Sequence, residues 1–287
     1  MDALFDRRPP TNLEDFRRNP VVFLAKRGYY AGVTHCEPPT TPRIQVVAIS
    51  DTHNHHGEVA LVPDGDILIH AGDLTQSGTR TEMISALQWL ADQPHPHKIF
   101  IAGNHDLGLN VPKKDLHDLL EDFPGLVYLA ESSVTLTINT RTVRIYGSPM
   151  TPKFGSWPFQ YPRTKPEDAH WDKIPLDTDI LITHGPPAHH ADHGNGCGAL
   201  LKQLWSVRPR LHVFGHIHTA RGIEHVAWSD AQAAYERIMT NQYSWREFLA
   251  LLWGIWRVDK AKSTLINAAS LGGFRDEERR DAIVIDI

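Results

Sequence analysis

The sequence predicts an α/β fold in which two β-sheets pack together as a sandwich with helices outside. Three observations carry that prediction. Short, continuous apolar runs recur from residue 43 onward between polar loops, and such runs suit strands buried on both faces. Helical spacing lies between some of them, over 82–91 and 114–122. A chain of 287 residues can bury one large core or at most two small ones, and one domain is the expectation.

In chain order, residues 1–42 are polar and punctuated by proline, with an apolar patch at 21–24. They read as an N-terminal arm, in part helical, packed on the main body. Strand candidates follow at 44–49, 66–69, 98–102, 134–138, 143–146, 180–183, 211–214, 265–268 and 282–285. Between about 225 and 262 the rhythm breaks. Trp228, Tyr235, Ile238, Met239, Trp245, Phe248, Leu249, Leu252, Trp253 and Trp256 recur there at roughly helical intervals, which predicts one or two amphipathic helices inserted in a domain spanning 43–287. Packing on the core is the plain reading of that insertion. A lid, or a face that docks a partner or membrane surface, is the functional one.

The formal charge of −5 gives no general attraction for nucleic-acid phosphates or anionic lipid, so a site for an anionic substrate must be local. No basic stripe accompanies the motifs below, and no stable nucleic-acid partner is expected. Two cysteines, Cys36 and Cys197, make no disulfide framework and fit a reducing compartment. The first twenty residues lack the apolar core of a secretory signal, and no apolar run reaches spanning length. The expectation is a cytoplasmic protein without a transmembrane segment. Oligomeric state is left open.

Eighteen histidines are the unusual feature of the composition, and their positions give it meaning. Five predicted strands end in side chains of metal-ligand type: Asp51-Thr52-His53, Asp73, Asn104-His105-Asp106, His184 and His216-Ile217-His218. Functional groups collect at the carboxyl ends of strands in open α/β sheets, where loops converge on one crevice. Each motif alone arises by chance. Five in order, each beside a small residue, point to one site.

These blocks, with Gly72, Gly103 and Gly215 ahead of their ligands, resemble the calcineurin-like metallophosphoesterase superfamily, whose pattern is D-x-H, G-D, G-N-H-[DE], H and G-H-x-H. Segments 146–149, 183–187 and 211–215 further resemble the metallophosphoesterase-domain-containing subfamily. Some animal members of that group carry Gly for the first His of the last motif, which weakens catalysis; His216 is retained here.

The resemblance implies a four-layer αββα fold and a phosphoesterase with two divalent metal ions. Asp51, His53, Asp73 and His218 would hold one ion. Asp73, Asn104, His184 and His216 would hold the other, so that Asp73 bridges. Mixed nitrogen and oxygen ligation without thiolate suits Mn, Fe, Zn or Mg, with Mn favoured. His105 would protonate the leaving group or stabilise the transition state, and Asp106 would orient and charge that imidazole. The implied reaction is hydrolysis of a small phosphate ester or nucleotide, most of all a cyclic nucleotide or small phosphodiester. A Ser/Thr protein phosphatase and a nucleotide-binding scaffold of weak activity are the alternatives.

Several other residues carry weaker expectations. His55 and His56 read as a solvated loop, whereas His189, His190 and His193 follow a Gly-Pro-Pro turn within reach of substrate. His70 and His212 lie inside strands and read as core or supporting groups. Arg163, Arg208 and Arg210 are candidates to hold phosphate. Residues 267–270 are expected to close the sheet near the site. The two cysteines read as small buried or loop residues.

Overall fold

A computed structural model describes residues 11–32, 42–59, 62–241, 244–255, 262–273 and 276–287. Its contacts divide the chain into two compact units, one of residues 1–37 and 225–264, the other of 38–224 and 265–287. Cys36 and Trp256 lie outside the described residues.

Apolar runs build the larger unit. β1 (Gln45–Ile49), β2 (Ile67–His70), β3 (His97–Phe100) and β4 (Leu126–Tyr128) are parallel neighbours. β5 (Ser132–Ile138) and β6 (Arg141–Ser148) form an antiparallel hairpin, and β6 pairs in parallel with β9 (Ile180–Thr183), which pairs in parallel with β10 (Leu211–Phe214). Two short ribbons lie outside the sheets: β7 (Thr151–Pro152) with β8 (Gln160–Tyr161), and β13 (Leu271–Gly272) with β14 (Glu278–Arg279). With β11 (Gly222–Val226), β12 (Ser263–Asn267) and β15 (Ile283–Asp286), the sheet orders are β15-β1-β2-β3-β4 and β11-β12-β10-β9-β6-β5.

Why the strands stack follows from the two-residue period of an extended chain. Val46, Ala48, Ile67, Ile69 and Ile99 share one core with Ile145, Ile180, Ile182, Leu211 and Val213 of the second sheet. The alternate residues Val47, Ile49, Leu68 and Phe100 face outward, onto Met83, Ala86, Leu87 and Leu90 of α3 (Arg80–Ala91) and Leu119 of α4 (Lys113–Leu120). Each such side chain, fully buried, stabilises by roughly 1.5–3 kcal/mol. Two large sheets flanked by helices thus follow from the apolar runs, and all nine strand candidates fall on strands.

Both predicted helices are present. Thr79 caps α3 through a box with Glu82, whose carboxylate accepts from the Thr79 and Ser77 amides. β4, β11 and α5 (Gly198–Val207) are additional to the elements expected from sequence. β4 is three residues long, too short for any periodicity to register. α5 buries Leu200, Leu201, Leu204 and Val207, a helical spacing that was there to be read, and its N-cap is Cys197, an uncommon capping residue whose Sγ accepts from the Leu200 amide.

The smaller unit is helical. α1 (Asn12–Arg18), α2 (Pro20–Gly32), α6 (Asp230–Asn241) and α7 (Trp245–Ile255) pack together. Val21, Ala25 and Tyr29 of α2 share a core with Ala234, Tyr235, Ile238 and Leu251, and the rings of Tyr29 and Tyr235 stack at 4.2 Å. Residues of the expected arm and of the expected insertion therefore bury one another. α7 leaves Trp245, Leu249 and Trp253 more than half exposed. Among the described residues no helix is long and apolar enough to cross a membrane.

Candidate metal centre

Parallel pairing sets the ends of β1, β2 and β3 in a row, and the ends of β9 and β10 in a second row. The rows meet because Ser50, just after β1, bridges to Ala269, just after β12 of the second sheet, with the Ser50 amide donating to the Ala268 carbonyl and the Ser270 amide to the Ser50 carbonyl. Residues 267–270 thus link the two sheets beside the site. Asn267 also donates to the Ile217 carbonyl at 3.0 Å, holding the turn that carries His216 and His218.

Three overlapping groups of ligand-type side chains result: Asp51, His53 and His218; His53, Asp73 and His105; Asp73, His184 and His216. Within each, the ligand atoms lie within 4.8 Å of one another. Asn104 joins the third through its Oδ1, 3.1 Å from His184 Nε2. All seven side chains expected to hold metal are therefore brought together, and Asp73 belongs to two of the three groups.

The backbone bends sharply to do this. Asp51, His53, Asp73 and His216 all have positive φ, between 41° and 68°, a region that costs a non-glycine residue roughly 1–3 kcal/mol and collects at functional sites. Small residues beside them are a steric requirement. A Cβ on Gly103 would lie 2.2 Å from Asp73 Oδ1, and one on Gly215 would lie 2.1 Å from Asp51 Oδ2.

Electrostatics show a cluster built for positive charge. Burial pushes against ionisation of Asp51, yet His218 Nε2 at 3.4 Å holds its carboxyl down at about 2. Burial likewise opposes Asp73, which His184 at 3.2 Å and His53 keep well below the usual carboxylate range. Burial opposes the protonated imidazoles in turn, but Asp73 pushes His184 up to about 9 and Asp51 does the same for His218. His216, buried and beside the charged His184, is pushed down to about 4. Protons on two histidines thus balance two carboxylates, and cations bound there would take their place.

The residues present fit divalent cations on independent grounds. His53 is 4% exposed, and neither of its ring nitrogens has a hydrogen-bond partner among the described residues, a costly state for a buried polar ring unless another ligand satisfies it. Two other rings are held by their distal nitrogens: His184 Nδ1 donates to the Ala71 carbonyl at 2.9 Å, and His218 Nδ1 meets Asp276 Oδ1 at 2.9 Å. Such outer partners fix the tautomer and aim a ligating histidine.

His105 lies beside the cluster with its ring centroid 4.6 Å from that of His53. Its expected partner is corrected by the geometry. His105 Nδ1 donates to the Gln76 carbonyl at 2.7 Å, while Asp106 accepts from the Gly103, Leu74 and Thr75 amides and the Thr75 hydroxyl. Successive side chains in this turn point apart, so the fully buried Asp106 carboxylate ties the Asp73 and Asn104 loops together and does not reach the imidazole. Burial and the nearby Asp73 charge raise its pKa to about 6 against those four donors.

A cavity of about 700 Å3 opens over the cluster. Besides His53, Asp73, Asn104, His105, His216 and His218 it is lined by His55, Gln76, Phe154, Trp157, Gln160, Leu271, Asp276, Glu277 and Arg279. His55 lines the cavity from its loop with a side chain 40% exposed, and its Nδ1 lies 2.9 Å from Glu58 Oε1. The lining does not include His189, His190 or His193; His190 is fully buried against Glu224. Nor does it include Arg163, Arg208 or Arg210; Arg208 caps α5 in a left-handed conformation. His70 and His212 are fully buried, as expected of strand histidines. Cys197 is buried, and its Sγ accepts from the Tyr161 hydroxyl. Gln76, Trp157, Asp276 and Arg279 gave no signal in the sequence, because none follows a strand or sits in a motif.

A model of the calcineurin-like phosphoesterases matches residues 44–220, more than half of the chain. The chain belongs to that family. Human metallophosphoesterase domain-containing protein 1 is 37% identical over 220 residues, covering 67% of this chain and 65% of that protein. The UPF0046 protein K07C11.7 of Caenorhabditis elegans is 36% identical over 203 residues, covering 65% of this chain and 68% of that protein. A protein of Emericella nidulans named probable rhamnogalacturonate lyase C is 43% identical across 100% of this chain, which spans only 29% of that protein.

Proposed function

We propose that this calcineurin-like phosphoesterase is a two-cation phosphodiesterase acting on cyclic nucleotides or other small phosphodiesters, with Mn2+ the favoured ion. The observation that carries the reading is the position of Asp73. Its carboxylate belongs to two of the three groups of ligand-type atoms, one with His53 and one with His184 and His216, and a carboxylate with two oxygens can span cations roughly 3.5–4 Å apart. Asp51, His53, Asp73 and His218 are assigned to one ion, and Asp73, Asn104, His184 and His216 to the other.

When bound, such ions supply Lewis-acid charge on the phosphoryl oxygens and make a water nucleophilic near neutral pH. The chain's own residues supply the rest. Because His105 gives its Nδ1 proton to the Gln76 carbonyl, Nε2 is the nitrogen left to pass a proton to the departing oxygen, a general-acid role. Asp106 is a positioning residue that holds the loops of Asp73 and Asn104. Trp157 and Phe154 wall the cavity.

Charge favours a diester over a monoester. Asp276 and Glu277 line the cavity, and among the described residues Arg279 is the one Lys or Arg that does so. A diester brings one negative charge past them, whereas a monoester near neutral pH brings close to two. All named site residues belong to the larger unit.

Chelation followed by Mn2+ addition tests the reading against a panel of cyclic nucleotides, aryl phosphodiesters and phosphomonoesters, with elemental analysis of the protein as isolated. Cation-dependent release of product, faster for diesters, is expected. Nucleotide binding without turnover under any of Mn, Fe, Zn or Mg would instead mark a scaffold, and preference for phosphoprotein would mark a protein phosphatase.

A further inference from the structure

One wall of the cavity is the loop 153–159 between β7 and β8. It is closed at its base by backbone hydrogen bonds from Thr151 to Phe159 and from Lys153 to Tyr161. Gln160 closes it again, accepting from the Phe154 amide and donating to the Phe154 carbonyl. The loop carries two aromatic rings that a soluble surface rarely leaves bare: Phe154 is 76% exposed and Trp157 39% exposed. Both line the cavity. The indole of Trp157 stacks on the His105 imidazole, with centroids 4.3 Å apart and planes 29° apart. Aromatic surface is thereby fixed beside His105, the residue proposed to protonate the leaving group. The acids Asp276 and Glu277, which also line the cavity, disfavour a second anionic substituent.

We infer that Trp157, with Phe154 beside it, is the specificity-determining platform of this site, and that it takes the neutral, planar aromatic part of the ester's leaving group, a nucleobase or an aryl ring. The inference rests on the phosphodiesterase reading of the cluster. Stacking fits because every planar ring has a π-face to offer, and loss of one such contact typically costs tenfold or more in affinity. Trp157 also holds the ring of His105, so activity alone would confuse the two roles, and binding separates them.

The test uses the full chain saturated with Mn2+ and calorimetric titration of two ligand pairs. Adenosine 5′-monophosphate against ribose 5-phosphate isolates a nucleobase; phenyl phosphate against methyl phosphate isolates an aryl ring. In the wild type the planar member of at least one pair binds about tenfold tighter or more, and the pair that responds names the ring. Trp157→Ala reduces that ratio to near one while the sugar and methyl phosphates bind within about threefold of wild type, and Trp157→Phe keeps most of the ratio. An unchanged ratio in Trp157→Ala, or ratios near one in the wild type, overturns the inference even where the mutation slows every substrate. Failure of the phosphodiesterase reading shows separately, as absence of turnover with any cation while the Trp157-dependent ratio persists.

Discussion

His212 Nε2 lies 2.8 Å from Thr183 Oγ1, and Thr183 in turn gives its hydroxyl proton to the Gly185 carbonyl. The same arrangement recurs beneath the other half of the cluster, where His70 Nε2 lies 3.1 Å from Thr52 Oγ1 and Thr52 donates to the Leu74 carbonyl. Each threonine adjoins proposed ligands: Thr52 sits between Asp51 and His53, and Thr183 precedes His184. With the hydroxyl proton already committed, each histidine must donate from Nε2. Among the described residues Nδ1 of each ring is buried without a hydrogen-bond partner, so these are neutral rings that meet no acceptor for a second proton there.

Acid should therefore unfold the chain through these two rings. Burial pushes both imidazoles down from 6.5 to about 3. The unfolded chain takes up protons near 6.5 that the native rings refuse, so stability is full above that pH and is lost as pH falls from 6.5 toward 3. Each ring contributes a slope of about 1.4 kcal/mol per pH unit across that window. Urea unfolding in chelator at steps from pH 7 to 4 should show the acid limb flattened by about that amount in His212→Gln. Equal slopes for variant and wild type would refute the account.

Strand placement and the clustering of ligand-type side chains were legible because both are local signals. A four- or five-residue apolar run reports burial on both faces, and each ligand-type motif follows its strand, so Asp51, His53, Asp73, Asn104, His184, His216 and His218 could be named from sequence as candidates and are brought together. What the sequence withheld is the supporting shell. Asp276 lies 58 residues from the His218 it orients, Gln76 acts through its backbone carbonyl, and Trp157 reaches His105 from a separate loop. Asp106 misled for the opposite reason: adjacency in sequence suggested contact with His105, and the turn sends its carboxylate to Thr75 and Gly103.

Steric exclusion behind Asp73 gives a prediction with an internal control. Gly103→Ala places a methyl 2.2 Å from Asp73 Oδ1 and 2.3 Å from the Asp73 amide, both on the strained loop. Overpacking of that kind costs about 1–3 kcal/mol, and the displaced carboxylate should leave the protein unable to retain cations through gel filtration. At Gly125 a Cβ meets nothing within 4 Å, so Gly125→Ala should change stability by no more than about 0.5 kcal/mol. Full Mn2+ content in Gly103→Ala would remove Gly103 from the account.

His105 and the ligands should part company under mutation. His105→Ala removes a proton donor and leaves the seven ligand-type side chains in place, so the rate should fall on the order of 10²–10⁴-fold with cation content nearly intact. Elemental analysis beside steady-state kinetics on an aryl phosphodiester reads both quantities. Normal turnover would take His105 out of the mechanism, and loss of the cations would make it structural.

Asp276 provides the sharpest test of the outer shell, because it touches a ligand without joining the cluster. Its Oδ1 faces His218 Nδ1 at 2.9 Å while His218 Nε2 turns to Asp51. A carboxylate on the distal nitrogen fixes the tautomer and raises the basicity of the ligating one, and losing such a partner typically costs 10–100-fold in metal affinity or activity. Asp276→Asn keeps size and hydrogen-bonding capacity but gives up the charge, so it should lose less than Asp276→Ala. The expected order in competition against a fluorescent chelator is wild type tighter than Asn, and Asn tighter than Ala, with kcat at saturating Mn2+ changing less than the affinity. If the two variants bind Mn2+ as the wild type does, the 2.9 Å contact orients nothing, and His218 must be held by Asp51 and the turn following β10 alone.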